Sequence, residues 1–376
     1  MKKLITGALV VAAFTSGCAM QLNPSKRPMQ QATVDQIKSP VSLVMQTPER
    51  TGVATTYFAQ DSSAAGAQYG LIGALTTAVI DGIANSNPAE IATDNANRIA
   101  ETIKGDELLS QAYSTLANTK AQLPPSVSLV FSAPTPAPAK SAKTAKVADG
   151  LSVDIVYSFK SDMSALAAYA NVSLNVKGAE YKSPYIAKDG KPSKPDTTGL
   201  IYQNAFHYYS QQLSVPVKPQ SDIDAKVAEI TAKASKNGVP PKKGTPQYTK
   251  MNTDIKQAQK AAYTPKEIAD KLADQWLAND GEKLKAEIKA AHEFIAAQIY
   301  KDLARFDVPD YKGTDTVLET TETGRVTKIV GAGFNAGSVH SEPKEFIAIG
   351  WGNAIVYPEV AKDKVKEKTK EKAKDK

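Results

Sequence analysis

Val153-Asp154-Ile155-Val156-Tyr157-Ser158-Phe159-Lys160 is the stretch that sets the fold class. Val153, Ile155, Tyr157 and Phe159 alternate with Asp154, Ser158 and Lys160. A period of two places the two sets on opposite faces of a strand. Residues 170–177 repeat the pattern, with Ala170, Val172, Leu174 and Val176 against Asn171, Ser173, Asn175 and Lys177. The two runs predict antiparallel strands with one face on a core and one facing water. A third strand, rich in Tyr and Phe, is expected over Leu200–Leu213 after a polar loop at 178–199.

Upstream the pattern changes. Val41-Ser42-Leu43-Val44, ending at Pro48, recurs as Val127-Ser128-Leu129-Val130, ending at Pro134. Both read as short buried strands in similar positions of one sheet. Between them Gly66, Gly70, Ala74, Ala78 and Gly82 recur every fourth residue, along one helix face. Small residues let another backbone come close, while each helical glycine costs about 1 kcal/mol relative to alanine. This face therefore reads as packed on its own sheet or as an interface for self-association. Asp81 and Gln68 argue against a membrane span. Asn87 can cap a helix with Pro88 at its first position, running to about Ile103, and a further helix is expected over Glu107–Asn118. Strand, helices, strand implies a parallel crossover. Residues 133–150 carry Pro134, Pro136 and Pro138 among Ala, Lys and Ser and read as a linker.

Downstream, a helix is expected over Asp222–Asn237, with Gly238 past its end. Thr264-Pro265-Lys266-Glu267 has the form of a capping box. Ile268, Leu272 and Trp276 continue its stripe, Asn279-Asp280-Gly281 breaks it, and Leu284, Ile288, Ile295, Ile299 and Leu303 mark a second long helix. Thr316–Thr321 and Arg325–Val330 flank a turn at Thr323-Gly324, and Ile347, Ile349, Trp351, Ile355 and Tyr357 fall on one strand face. The whole reads as α+β: an N-terminal strand–helices–strand unit over 41–132, the linker at 133–150, and a mainly antiparallel sheet with long amphipathic helices over 151–360. Residues 361–376, eight Lys and four acids without an apolar stripe, read as a disordered charged tail.

The N-terminus supplies an address. Lys2 and Lys3 precede the apolar run Leu4–Phe14, which is too short to span a bilayer. Thr15-Ser16-Gly17-Cys18 follows and contains the only cysteine in the chain. This arrangement resembles the signal peptide and lipobox of bacterial lipoproteins, although Thr15 stands where that family usually has an aliphatic residue. The resemblance implies removal of residues 1–17, lipidation of Cys18, and a tether over 18–40. Ala19 in place of aspartate implies the outer membrane, with the body facing the periplasm. The membrane, through that lipid, is then the first partner, with envelope proteins or a second copy as further ones.

The net charge of +7 invites a nucleic-acid reading until it is located. Without Lys2 and Lys3 the chain carries +5, and residues 361–376 hold +4 of that. A nearly neutral body with a basic tail is no nucleic-acid footprint.

Motifs for chemistry are sparse. His207, His292 and His340 are far apart in sequence with no metal-ligand spacing, so neither a metal nor any other cofactor is expected. His292-Glu293 begins like a zinc-protease motif, but Ala296 stands where the second ligand belongs. Gly331-Ala332-Gly333-Phe334-Asn335-Ala336 fits the loose dinucleotide fingerprint, yet no helix start follows it to hold the phosphate. No catalytic residues are therefore nominated. Tyr202, Phe206 and Tyr208, beside His207 and Tyr209, form an aromatic strand that either fills a core or binds a sugar or peptide. The expected role is structural or protein-binding in the cell envelope, with a glycan- or peptide-binding module as the alternative.

Overall fold

The structure is a computed structural model that describes residues 26–37, 41–47, 52–60, 87–119, 129–131, 135–136, 149–184, 194–236, 238–260, 262–306, 315–329, 337–346 and 351–358. Cys18, the small-residue run from Gly66 to Gly82, the glycine-rich stretch 331–336 and the tail at 361–376 lie outside the described residues.

The fold is α+β around a mixed sheet. Its centre is an antiparallel meander of β5 (Gly150–Phe159), β6 (Leu166–Asn175) and β7 (Leu200–Tyr209). The period of two is realised here. Val153, Tyr157 and Phe159 face the same way as Leu166, Ala168, Val172 and Leu174 and are buried with them. Asn171, on the other face, is exposed.

The remaining strands extend both flanks. β1 (Val41–Thr47) and β2 (Val53–Tyr57) both lie parallel to β5, pairing Leu43 with Leu151 and Val53 with Tyr157. They thus act as two halves of one interrupted strand along a single β5 edge. β3 (Leu129–Phe131) pairs parallel with β1, so the repeated Val-Ser-Leu-Val strings do become neighbours, with Val41 opposite Leu129. Thr135 and Pro136 form β4, also on β1. On the far side β10 (Val339–Pro343) joins β7 in parallel and β9 (Gly324–Lys328) in antiparallel fashion, and β8 (Thr316–Thr320) closes that edge. β11 (Ala354–Val356) borders β2.

Three expectations are corrected by this topology. The expected boundary at 133–150 does not separate two domains, because β1 and β2 of the supposed N-terminal unit are hydrogen-bonded into β5. The tether expected over 18–40 ends sooner. Residues 26–37 lie on the body, where Arg27 exchanges both backbone hydrogen bonds with Gln203 and Met29 and Val34 are buried. Of the face expected from Ile347 to Tyr357, only Ile355 lies in a described strand, and it is 55% exposed.

Of the described helices, the long C-terminal one packs on β6 and β7, and the one at Gly105–Thr119 packs on it and on β1. After α1 (Gln31–Val34) come α2 (residues 87–102) and α3 (Gly105–Thr119), then α4 (Gln220–Ala234), α5 (Pro246–Ala258) and α6 (Pro265–Leu303). The capping box forms as expected: the Thr264 side chain accepts from Glu267 N at 3.3 Å, and the Glu267 carboxylate accepts from Thr264 N at 2.8 Å. The expected break is also present. Asn279, Asp280 and Gly281 all adopt positive φ, and α6 changes course there. Beyond the break Leu284, Ile288, Ile295, Ile299 and Leu303 bury onto the sheet. Trp276 packs tilted against Phe159 at 5.3 Å and donates its indole N–H to Met163 O at 2.7 Å.

Candidate functional site

The aromatic strand divides between two faces, and its expected binding residues fall on the closed one. Tyr202 and Phe206 are fully buried beneath α6, so neither is open to a ligand. The Tyr202 hydroxyl and the Asn204 amide both donate to Asp302 Oδ2 at 2.8 Å. Tyr208 donates to Glu287 Oε2 at 2.6 Å. These residues fill and orient the core, because residues 202, 204, 206 and 208 share the helix-covered side of β7. Burial thus corrects the expected sugar- or peptide-binding role of Tyr202 and Phe206, while Tyr208 is half-buried with its hydroxyl held by Glu287. His292 lies on the same side, 2.5 Å from the Tyr157 hydroxyl through Nε2. Burial pushes the phenol up and the imidazole down to about 4, so a neutral ring and a neutral phenol share this hydrogen bond.

The alternate residues of β7 make a cluster that spacing did not reveal. His207 meets His340 across the β7–β10 pair. Tyr169 sets its edge against His207 at 4.9 Å. Tyr209 packs on Phe346 at 4.6 Å and on Trp351 at 5.6 Å. Ser338 Oγ lies 2.8 Å from His340 Nε2. Both imidazoles are buried, and no group of three or more metal-ligating side chains forms among the described residues. Tyr169, Tyr209, Phe346 and Trp351 are half-buried around the two buried imidazoles.

An open site lies elsewhere, where β2, the β5–β6 turn and the first turns of α2 and α6 meet. They enclose a cleft of about 660 Å³. Its floor includes Thr55 and Thr56. Their hydroxyls are already committed, donating to Ala92 O at 2.6 Å and Phe159 O at 3.0 Å. Its walls include Ile91, Met163, Pro265 and Ile268. Two large apolar side chains at its rim face solvent, Phe58 at 56% and Val215 at 44% exposure.

The turn that forms one wall is held in an unusual conformation. Met163 has φ +64, in the left-handed region that a residue with a Cβ seldom adopts. Asp162 Oδ1 stabilises it by accepting from Ser164 N at 2.9 Å and Ser164 Oγ at 2.6 Å. Asp162 is thus occupied within its own turn. Among the described residues the cleft offers apolar contact with few unused polar groups and no convergent acid, base and nucleophile. Phe58 and Val215 were not distinguishable in sequence from core residues, since each sits next to a strand or loop end without periodic context.

No protein-family model, no curated protein and no solved structure matches this chain.

Proposed function

We propose that this chain is a lipid-anchored protein of the bacterial envelope whose body binds an apolar segment of a partner, such as an extended peptide, in the cleft between β2, α2 and α6. The observation that carries the binding role is the cleft itself. A concave, mostly apolar space of about 660 Å³ lies in the range of ligand pockets. Phe58 and Val215 leave apolar surface at its rim that a partner would cover. The anchoring role rests on Lys2, Lys3, the apolar run and Cys18. Cys18 precedes the first described residue, Lys26, by eight positions, and eight residues reach at most about 29 Å. A lipidated Cys18 would keep the body close to the membrane surface.

Binding is tested with the fluorescent apolar probe N-phenyl-1-naphthylamine. The reading expects saturable enhancement at one probe per chain, lost in Phe58→Ser and Val215→Ser while the fold is retained, and competition by apolar peptides. Non-saturable binding, or saturable binding unchanged in both variants, would remove the cleft as the site.

A further inference from the structure

The helical hairpin of α4 and α5 stands apart from the rest of the body. α4 buries no residue, and α5 buries only Met251 and Ala258. The two helices pack mainly on each other. Their ties to the body gather at one end. Lys218 Nζ reaches Ala258 O at 3.3 Å and Glu267 at 3.5 Å, Tyr263 donates to Asp222 at 3.0 Å, and Lys271 pairs with Asp222 at 2.9 Å.

The opposite end carries charge of one sign. Between Glu229 and Asp254 the chain holds Lys233, Lys236, Lys242, Lys243 and Lys250 and no acid. All five are exposed. Lys233 pairs with Glu229, while Lys236, Lys242, Lys243 and Lys250 form no ion pair among the described residues. The first turn of α5 also points its unpaired N–H groups to this end. Such a turn usually draws acids, yet none is present, and Thr245 caps it with a neutral hydroxyl. Between the lysines Val239 is 66% exposed, in a turn closed by paired hydrogen bonds with Lys236. With Lys233 set against Glu229, the tip carries +4, and with a nearly neutral body overall the remainder is net acidic, so the charge is segregated.

We propose that this tip is a docking surface for an anionic phospholipid bilayer. Lysine is a compact point charge that suits a layer of mobile phosphates, and no arginine lies between Glu229 and Asp254 for bidentate recognition of a fixed partner. Val239 sits where an apolar side chain enters the headgroup boundary as the lysines meet phosphates. The contact is independent of the cleft and would give a lipidated chain a second, reversible point of attachment.

The test is co-sedimentation of the full chain bearing Cys18→Ser, so that no acyl chain contributes, with vesicles of phosphatidylcholine alone or with a third phosphatidylglycerol. Binding is expected only with the anionic lipid and falls as salt screens the exposed charges. K236Q, K242Q and K243Q together lower partitioning by on the order of a hundredfold, at roughly fivefold per lysine lost from the surface, and K236E, K242E and K243E lower it further. K364E, K366E and K368E in the tail, reversing the same charge, leave it within a few fold. Equal loss from both charge-reversed triple variants would overturn the assignment to the tip. So would binding to an acidic polypeptide or RNA without binding to the anionic vesicles. Circular dichroism of each variant confirms that the hairpin is intact.

Discussion

His207 and His340 stack face to face, with ring centroids 4.2 Å apart and planes within 19°, across neighbouring parallel strands at paired register positions. Burial, then the facing imidazole and Lys26, pushes His207 down to about 3. Burial also brings His340 down to about 4, assisted by Lys26 and opposed by Glu342 and Asp315. Tyr169 sets its ring edge against His207, and Tyr209 packs tilted on His340.

Acid should therefore weaken the fold through its histidines. An unfolded histidine titrates near 6.5, so the unfolded chain takes up protons first as pH falls. The stability from the neutral rings is complete above about pH 6.5 and is lost as pH falls toward the folded values near 4 and 3. Each histidine removes up to about 1.4 kcal/mol per pH unit in that window. Urea unfolding at pH 7.5, 6.0 and 5.0 should show a steepening loss, shallower in His340→Gln. A midpoint that does not move between pH 7.5 and 5.0 would contradict the buried neutral pair.

Asp302 organises the closed side of β7. Asp302→Ala would leave the Tyr202 hydroxyl and the Asn204 amide without their shared acceptor. Losing a charged acceptor for two buried donors should cost about 2–4 kcal/mol. Asp302→Asn keeps the shape and one carbonyl and should cost less. Equal stability of Asp302→Ala and the parent in urea unfolding would show that the network is dispensable.

The docked N-terminal segment gives a different kind of prediction. Met29 is buried, and Arg27 pairs with Asp196 at 2.6 Å while its backbone extends the sheet beside Gln203. Met29→Ala should cost about 2–5 kcal/mol. Deleting 361–376 should leave the thermal midpoint nearly unchanged, as expected of a charged stretch without an apolar stripe. The reverse ranking would mean that the tail, not residues 26–37, is part of the folded unit.

Much of the fold was legible because it rests on local rules. The period of two marks β5 and β6. The Thr264–Glu267 box and the Asn279-Asp280-Gly281 break are local chemistry and appear where spacing puts them. The join of β7 to β10 is not local. His340 lies in a five-residue strand ending at Pro343, with no periodic signal, and its pairing with His207 depends on a parallel contact between distant segments. The aromatic strand at Tyr202–Tyr209 is legible as a cluster, but the division of Tyr202, Phe206 and Tyr208 from His207 and Tyr209 between two faces, and which face the helices cover, depends on that distant packing. The linker reading of 133–150 failed because proline and alanine content describes local stiffness. It carries no information about β1 and β2 pairing with β5 on its far side.

Gly281 tests the break in α6 directly. It has φ +69, and a Cβ there would stand 2.6 Å from Thr102 Cγ2 on α2. Gly281→Ala combines backbone strain with that clash and should cost about 1–3 kcal/mol. Adding Thr102→Ser to the variant removes the clashing methyl and should recover part of the loss. No recovery would assign the whole effect to the backbone.

The proposed role depends above all on where the body is held. Mass spectrometry of the N-terminal peptide from membrane-extracted protein tests this most directly. The account predicts a mature chain that begins at Cys18, with a diacylglyceryl group on its sulfur and an acyl chain on its amino group. A peptide that begins elsewhere, or an unmodified Cys18, would contradict it.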